Sequence, residues 1–142
     1  MGKIVHRRGV SGVGANGVLT EFVQYLVPFS ETLTQDITVE KTDDTVIVPC
    51  GYTRVRMSGY VEFEDLSAID QAVQIGLAIN GSPDHTQKFV ATSSKPAVLG
   101  VLTASMTTHV ADVAEGDELS LFLIQTAANQ TVKSQSMQLE FY

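Results

Sequence analysis

The stretch Tyr52–Glu64 alternates between apolar and polar residues with a period of two. Its odd positions include Val55, Val61 and Phe63, whereas its even positions carry tyrosine, arginine, serine and glutamate. Because successive side chains of a β-strand point to opposite faces, this pattern predicts a strand with one buried and one polar face. A helix would not separate the two sets in this way.

Two further stretches repeat this alternation, and one departs from it. Ala72–Ile79 alternates and ends in the turn signal Asn80-Gly81, and the chain closes on a third alternating run, Met137–Tyr142. Glu118–Thr126 is instead almost continuously apolar. That composition predicts a central strand that is buried on both faces.

Strand-like runs separated by turn signals account for most of the remaining chain after residue 20. They are Glu21–Phe29, Asp36–Glu40, Thr45–Pro49, Gln87–Thr92 and Val98–Ala111. About eight to ten short strands at regular spacing, without a convincing helix, are typical of two packed sheets. With 142 residues, 44% of them hydrophobic, the chain is predicted to form one all-β domain, a jelly-roll β-sandwich with an extended N-terminal arm.

The first twenty residues differ from the rest in glycine content and charge. Met1–Thr20 holds five glycines in its first seventeen positions, which predicts a flexible arm, and residues 21–142 are assigned to the jelly roll. The arm carries three basic and no acidic residues, whereas the body carries six basic and sixteen acidic ones. A basic arm on an acidic body indicates that the arm has its own partner, and the acidic body argues against nucleic-acid binding. The residues expected to bind the partner are Lys3, His6, Arg7 and Arg8.

The distribution of apolar residues bears on membranes and secretion. No stretch approaches the ~20 consecutive apolar residues that a membrane-spanning helix requires. The basic N-terminus is followed by only a short apolar segment, which is not the pattern of a secretory signal peptide. We therefore expect synthesis in the cytosol and no membrane partner.

Two local features of the sequence could carry chemistry. Gly12–Gly17 matches the G-x-G-x-x-G pattern of dinucleotide-binding turns, but only the short segment Lys3–Val5 precedes it and no helix is predicted after it. The single cysteine, Cys50, precludes an intramolecular disulfide, and nucleophilic chemistry would require a partner base. The sequence therefore predicts no cofactor.

The histidines do not define a reactive cluster. Ser105, His109 and Asp112 form a triad on paper, but Ser105 and His109 would lie ~13 Å apart on an extended strand. Metal binding by Asp84, His85 and His109, or calcium binding by loop carboxylates, remains an alternative. The sequence predicts neither a catalytic nor a metal site, and hence a protein that is not an enzyme.

Tyrosine and arginine recur on the polar face of the stretch Tyr52–Glu64. Both residue types are enriched at interface hot spots, and the doubly apolar run Glu118–Thr126 predicts apolar surface that a partner would cover. The predicted subunit interface comprises Tyr52, Arg54, Arg56, Tyr60, Phe122 and Tyr142. An ordinary solvated sheet face is the alternative for the tyrosines and arginines.

Three segments resemble a known family. Thr45–Gly59 has the form strand, Pro-x-Gly, strand; Ala114–Leu121 reads AEGDELSL; and the chain closes in Phe141-Tyr142. In this order they resemble the jelly roll of the tumour necrosis factor and complement globular-head superfamily, and more narrowly its versions in virion proteins of tailed bacteriophages. The resemblance extends over Glu21–Tyr142 and implies a sandwich of about ten strands that trimerises around a three-fold axis.

The resemblance implies a protein that acts by binding surfaces. The expected function is that of a structural virion protein, a homotrimeric capsid decoration protein that binds the major capsid protein or another virion protein and stabilises a phage head. Receptor-binding fibres carry a long stalk before this domain, whereas the arm here has about twenty residues, which favours a decoration protein. The alternative is a tail or baseplate adhesin that binds a host receptor or glycan. The expected location is the virion, assembled in the host cytoplasm.

Overall fold

The computed structural model describes residues 2–63, 72–83, 91–94, 103–107, 110–126 and 130–142, and within them every regular element is a β-strand. In chain order the strands are β1 (Lys3–Gly9), β2 (Tyr25–Leu26), β3 (Glu31–Gln35), β4 (Val46–Ile47), β5 (Arg54–Phe63), β6 (Ala72–Ile79), β7 (Ser82–Pro83), β8 (Ala91–Ser94), β9 (Thr103–Thr107), β10 (Ala111–Asp112), β11 (Glu118–Gln125) and β12 (Val132–Phe141). The predicted all-β class is confirmed.

The described strands form two six-stranded sheets in which all pairs are antiparallel. The first sheet has the order β10-β5-β12-β1-β3, and β9 also pairs with β5. The second sheet has the order β2-β11-β6-β7, with β4 beside β11 and β8 beside β6. Sequence neighbours such as β11 and β12 therefore lie in different sheets, so the chain repeatedly crosses between the two layers.

The core lies between the two sheets and is built from the apolar set of each alternating strand. Val55, Met57 and Val61 of β5 are fully buried, as are the inward residues of β12 and β11. Removal of this apolar surface from water supplies the main stabilisation, roughly 25 cal/mol for each Å² buried. The alternation in Tyr52–Glu64 therefore sets which face of the first sheet meets the core.

Most strand predictions are confirmed where the structure describes the chain. The strand Ala72–Ile79 has the predicted bounds, and Asn80 and Gly81 both adopt positive φ angles, 53° and 80°, as a tight hairpin turn requires. Val46–Ile47 lies within the predicted run Thr45–Pro49. Residues 87–90, 98–102 and 108–109, which belong to two other predicted strands, lie outside the described residues.

Two strand predictions need correction. The predicted strand Asp36–Glu40 is wrong: the strand is Glu31–Gln35. It ends there because the next β1 amide, that of Ile4, donates to the Asp36 side-chain carboxylate at 3.0 Å rather than to a backbone carbonyl. The predicted run Glu21–Phe29 contributes only Tyr25–Leu26 to a sheet. Single backbone hydrogen bonds from Val27 to Leu121 and from Phe22 to Gln125 follow on either side, but the strand goes no further, because Phe22 has a φ of +60° and Pro28 has no N–H.

The N-terminal segment is the largest difference from expectation. Lys3–Gly9 is not a flexible arm but a strand between β12 and β3, with Lys3 opposite Phe141 and Gly9 opposite Gln135. The prediction failed because it counted glycines over the whole segment, whereas Ile4 to Arg8 contains none. The assignment of residues 1–20 to an arm outside the domain is therefore wrong for β1, which is an interior strand of the first sheet.

The glycine-rich segment after β1 is also attached to the domain. Val13 and Leu19 are each 1% exposed, and the Leu19 amide donates a hydrogen bond to the Gln130 carbonyl at 2.7 Å. Gly14 has a φ of +85°, and a Cβ there would lie 2.3 Å from the Val18 carbonyl oxygen. The glycines therefore allow a tight turn that places the side chains of Val13 and Leu19 in the core.

Candidate protein–protein interface

One face of the first sheet points away from the core, and we call it the exterior face. It consists of the outward side chains of β1, β5 and β12, with Glu31 and Thr34 of β3 and Ser105 of β9 at its sides. The outward residues are Ile4, His6, Arg8, Arg54, Arg56, Ser58, Tyr60, Glu62, Ser134, Ser136, Gln138 and Glu140. Alternation fixes this set, because the intervening residues of the three strands point into the core.

The centre of the exterior face is polar but uncharged. The strand register places Tyr60 opposite Ser136, and Ser58 and His6 on either side of Gln138. His6 Nε2 lies 2.8 Å from Ser136 Oγ, and Ser136 is only 7% exposed. Apart from Glu62, which follows on the same strand and pairs with Lys133, the side chains beside Tyr60 are small or carry an amide.

Charged side chains stand at the edges of this centre and form ion pairs. Arg8 Nη2 lies 2.7 Å from Glu31 Oε2, and Lys133 Nζ lies 3.7 Å from Glu62 Oε1. The hydrogen bond with Glu31 raises the pKa of Arg8. Such exposed pairs add little to the stability of a chain, but a paired charge is less costly to bury at an interface than an unpaired one.

The C-terminal edge of the face carries a third group of charges. Arg56 Nη1 lies 3.9 Å from Glu140 Oε1, and the Tyr142 hydroxyl donates a hydrogen bond to the same carboxylate oxygen. That hydrogen bond raises the pKa of Tyr142, because deprotonation would place two negative charges side by side. Glu140 thus links Arg56 to the terminal tyrosine.

The predicted interface residues fall into separate places. Arg54, Arg56 and Tyr60 lie on the exterior face, and Tyr142 lies at its edge, 41% exposed. Tyr52 is half-buried against the core, with its ring edge-on to Phe141 at a centroid distance of 6.0 Å. Only part of its surface is therefore open, and its place in the subunit interface stays a prediction.

Phe122 belongs to the other sheet and is already covered. Its side chain points away from the core of the sandwich, yet it is only 6% exposed. A Cβ at Gly76 of the neighbouring strand would lie 2.7 Å from Phe122 Cε1, so the ring occupies the space that glycine leaves open. The strand β11 is buried on both faces as predicted, but this burial takes place within one chain and leaves Phe122 unavailable to a partner.

Arg7 is also unavailable to a partner. It is 5% exposed, and its guanidinium donates to the carbonyls of Thr42 at 2.6 Å and Phe29 at 3.0 Å. Burial lowers the pKa of Arg7, and the nearby carboxylates of Asp43 and Asp44 partly offset this effect. The prediction that Arg7 reaches a partner is wrong, because in β1 its parity directs it inward, whereas His6 and Arg8 point outward and Lys3 is exposed at the strand end.

Phe22 is an exposed residue that the sequence did not single out. It is 71% exposed and has a φ of +60°, a conformation that is strained for a bulky side chain. Its amide donates to the Gln125 carbonyl at 2.8 Å, which ties the backbone to the end of β11. The adjacent Val23 is 42% exposed, so the two residues form an apolar tip, which we call the Phe22 tip. The prediction of a strand over Glu21–Phe29 did not indicate this exposed tip.

The described part of the chain contains no group of three or more His, Cys, Asp or Glu residues arranged to hold a metal ion. Nor does that part contain a helix with the length and apolar character needed to cross a membrane. Asp84, His85 and His109 lie outside the described residues. Cys50 is exposed and, with Val39 and Ile47, lines a groove of about 460 Å³.

Comparison with solved structures defines the class of fold. Two sheets with this strand order form a jelly roll like those of the tumour necrosis factor family and of complement globular domains, as the sequence predicted. Murine APRIL, crystallised at pH 5.0, matches with a TM-score of 0.67 and 12% identity over 100% of both chains. The globular domain of zebrafish complement 1qA matches with a TM-score of 0.54 and 8% identity, over 99% of this chain and 95% of that one. At these identities the likeness shows the fold alone.

Sequence comparisons give no narrower assignment. No protein-family model matches the chain, and no curated protein matches it.

Proposed function

We propose that this protein is a homotrimeric structural protein that acts by binding other protein surfaces, and that its subunits associate through the exterior face of the first sheet. The observation that carries the proposal is the uncharged centre around Tyr60, bordered by ion pairs within the chain. Interface cores are depleted of charge and enriched in tyrosine, whereas their rims are polar. The exterior face has this arrangement before any partner is present.

The energetics favour this face over its counterpart on the second sheet. Burial of Ser58, Tyr60 and Gln138 against a second copy requires little loss of ionic hydration, because the nearby charges already have partners. The exterior side of β11 has little left to bury, since Ser120 is fully buried and Phe122 nearly so. A trimer, rather than a dimer, is proposed because tumour necrosis factor and complement globular domains commonly form homotrimers. Closed cyclic symmetry then uses the same face three times.

Within this class we propose a virion role, decoration of a phage head through contact with the major capsid protein or another virion protein. The support is the sequence resemblance of Thr45–Gly59 and Ala114–Leu121 to virion jelly rolls. Since β1 lies in the first sheet, the shell contact is proposed at the Phe22 tip instead of at an N-terminal arm. Its exposed aromatic ring and strained backbone are typical of a binding loop.

A tail or baseplate adhesin is the second candidate, because an exposed aromatic tip also suits a host receptor or glycan. In either role the protein binds rather than catalyses. The two candidates differ in what the trimer binds, so one pair of binding assays separates them.

The test is light scattering of the purified protein, followed by co-sedimentation with emptied tailed-phage heads that lack a decoration protein. We expect a trimer that sediments with the heads, and we expect Phe22→Ser to remain trimeric while binding weakens at least tenfold, because a trimer presents three tips. Leu33→Ser, at an edge-strand side chain that is 44% exposed, is the matched control and should bind normally. A trimer that binds host cells but not heads would favour the adhesin, and a monomer would contradict both.

A further inference from the structure

We propose that His6 makes subunit association depend on pH, so that the trimer forms while the imidazole is neutral and dissociates when it is protonated. This inference rests on the proposed function, because it needs the exterior face to be the subunit interface. It adds a regulatory property that follows from the position of one side chain.

His6 lies inside the uncharged centre rather than at its border. It is the outward residue of β1 that faces Gln138 on one side and Thr34 on the other. Its Nε2 contacts Ser136 Oγ at 2.8 Å, and Ser136 in turn lies opposite Tyr60. A second copy that covers Tyr60 would therefore also cover the imidazole.

The charged groups around His6 are already engaged. On its own strand Arg8 pairs with Glu31 of β3, and on β12 the Glu140 carboxylate contacts Arg56 and Tyr142. At the other end of β3, the Asp36 carboxylate accepts a hydrogen bond from the Ile4 amide at 3.0 Å. The residues that directly contact or oppose the ring, Ser136, Gln138 and Thr34, are neutral.

A protonated imidazole is therefore tolerated on the exterior face of a separate subunit but not on the same face when a second copy covers it. In the separate subunit, water stabilises the positive charge. In the trimer that water is lost, and no free carboxylate of the surrounding described residues replaces it, so association favours the neutral ring. Histidine is the side chain whose ordinary titration falls between pH 5 and 8.

The linkage between proton binding and subunit association gives the direction and the size of the pH dependence. Association of three subunits releases up to three protons in the pH range where the separate subunits are protonated. The association constant therefore decreases as pH falls, by up to about a thousandfold per pH unit. Above that range the imidazole is neutral in both states and the constant is independent of pH.

The test is sedimentation equilibrium at pH 8.0, 7.0, 6.0 and 5.5, a range chosen to stay above the ordinary titration of exposed carboxylates, near pH 4. We expect wild-type trimer at pH 8.0 and dissociation by pH 5.5. His6→Gln keeps an amide that can hydrogen-bond to Ser136 and should remain trimeric throughout. The control is Phe22→Ser, at an exposed side chain outside the exterior face, which should dissociate like the wild type.

Four results would overturn the inference, and they are distinguishable. A monomer at pH 8.0 would remove the proposed trimer itself. A trimer from pH 8.0 to 5.5 would leave the trimer intact and contradict only the pH dependence. Parallel dissociation of wild type and His6→Gln, or a loss of the circular-dichroism signal of the sheets at the same pH, would show that another group or unfolding is responsible.

Discussion

The strands β5 and β11 are both central in their sheets, but they differ in what covers their outer sides. In β11 the outward Ser120 and Phe122 are buried within the chain, so both sides of the strand are closed. In β5 the outward Ser58 and Tyr60 remain partly exposed and polar. The more hydrophobic strand therefore has no surface left to offer, whereas the polar strand has an open face.

Hydrophobicity alone would place the partner-binding surface on β11, whereas the structure leaves the polar outer side of β5 open. A continuous apolar run such as Glu118–Thr126 indicates burial, but it does not say whether the same chain or another chain provides the cover. Gly76 provides the space for Phe122 within the sheet itself. The surface that is open to a partner is the one where alternation leaves polar side chains, and three ion pairs border its centre.

The largest expected effect tests the closed side of β11. Phe122→Ala should lower the free energy of unfolding by about 3 kcal/mol, because it leaves a cavity above Gly76, and should leave the subunit association unchanged. Gly76→Ala should cost about 2 kcal/mol, because its Cβ meets the Phe122 ring. Urea denaturation measures both changes.

The double variant is the control for this explanation. Gly76→Ala combined with Phe122→Ala should cost less than the sum of the single changes, since the added methyl group partly fills the cavity. Simple additivity would show that the two positions do not share that space. Loss of the trimer in Phe122→Ala would contradict the view that this side is closed within the chain.

The next prediction compares two neighbours on β1 that point to opposite sides. Arg7→Met should destabilise the chain by about 2 kcal/mol, because the carbonyls of Thr42 and Phe29 lose a charged donor. Arg8→Met removes an exposed ion pair with Glu31 and, when both substitutions are compared in the monomeric Tyr60→Glu background, should leave the unfolding midpoint unchanged. Equal effects of the two substitutions on thermal unfolding would contradict the inward and outward assignment.

The sequence predicted the architecture better than it predicted the site. Alternation in Tyr52–Glu64 located the core and the exterior face of β5, because period two depends only on local backbone geometry. It could not show that β1 is inserted between β12 and β3, since strand order depends on contacts between distant residues. The amino-acid composition of residues 1–20 is an average over a strand and a glycine-rich turn, so it indicated neither element.

The burial of individual side chains also could not be predicted from the sequence. Arg7 and Arg8 are identical residues, and only the register of β1 decides that one enters the core and the other faces outward. The sequence places Phe122 in a subunit interface, because nothing local reveals that Gly76 of the same chain lies beside it. No pattern in the sequence indicated the positive φ of Phe22.

The most direct test of the central claim is the mass of Tyr60→Glu in solution at pH 8.0, measured by sedimentation equilibrium beside the wild type and Phe22→Glu. The introduced carboxylates would meet in the centre of the interface, so we expect a folded monomer for Tyr60→Glu. Phe22→Glu makes the same kind of change at an exposed aromatic side chain outside the face and should remain trimeric. A trimer that persists in Tyr60→Glu would contradict the assignment of the exterior face as the subunit interface.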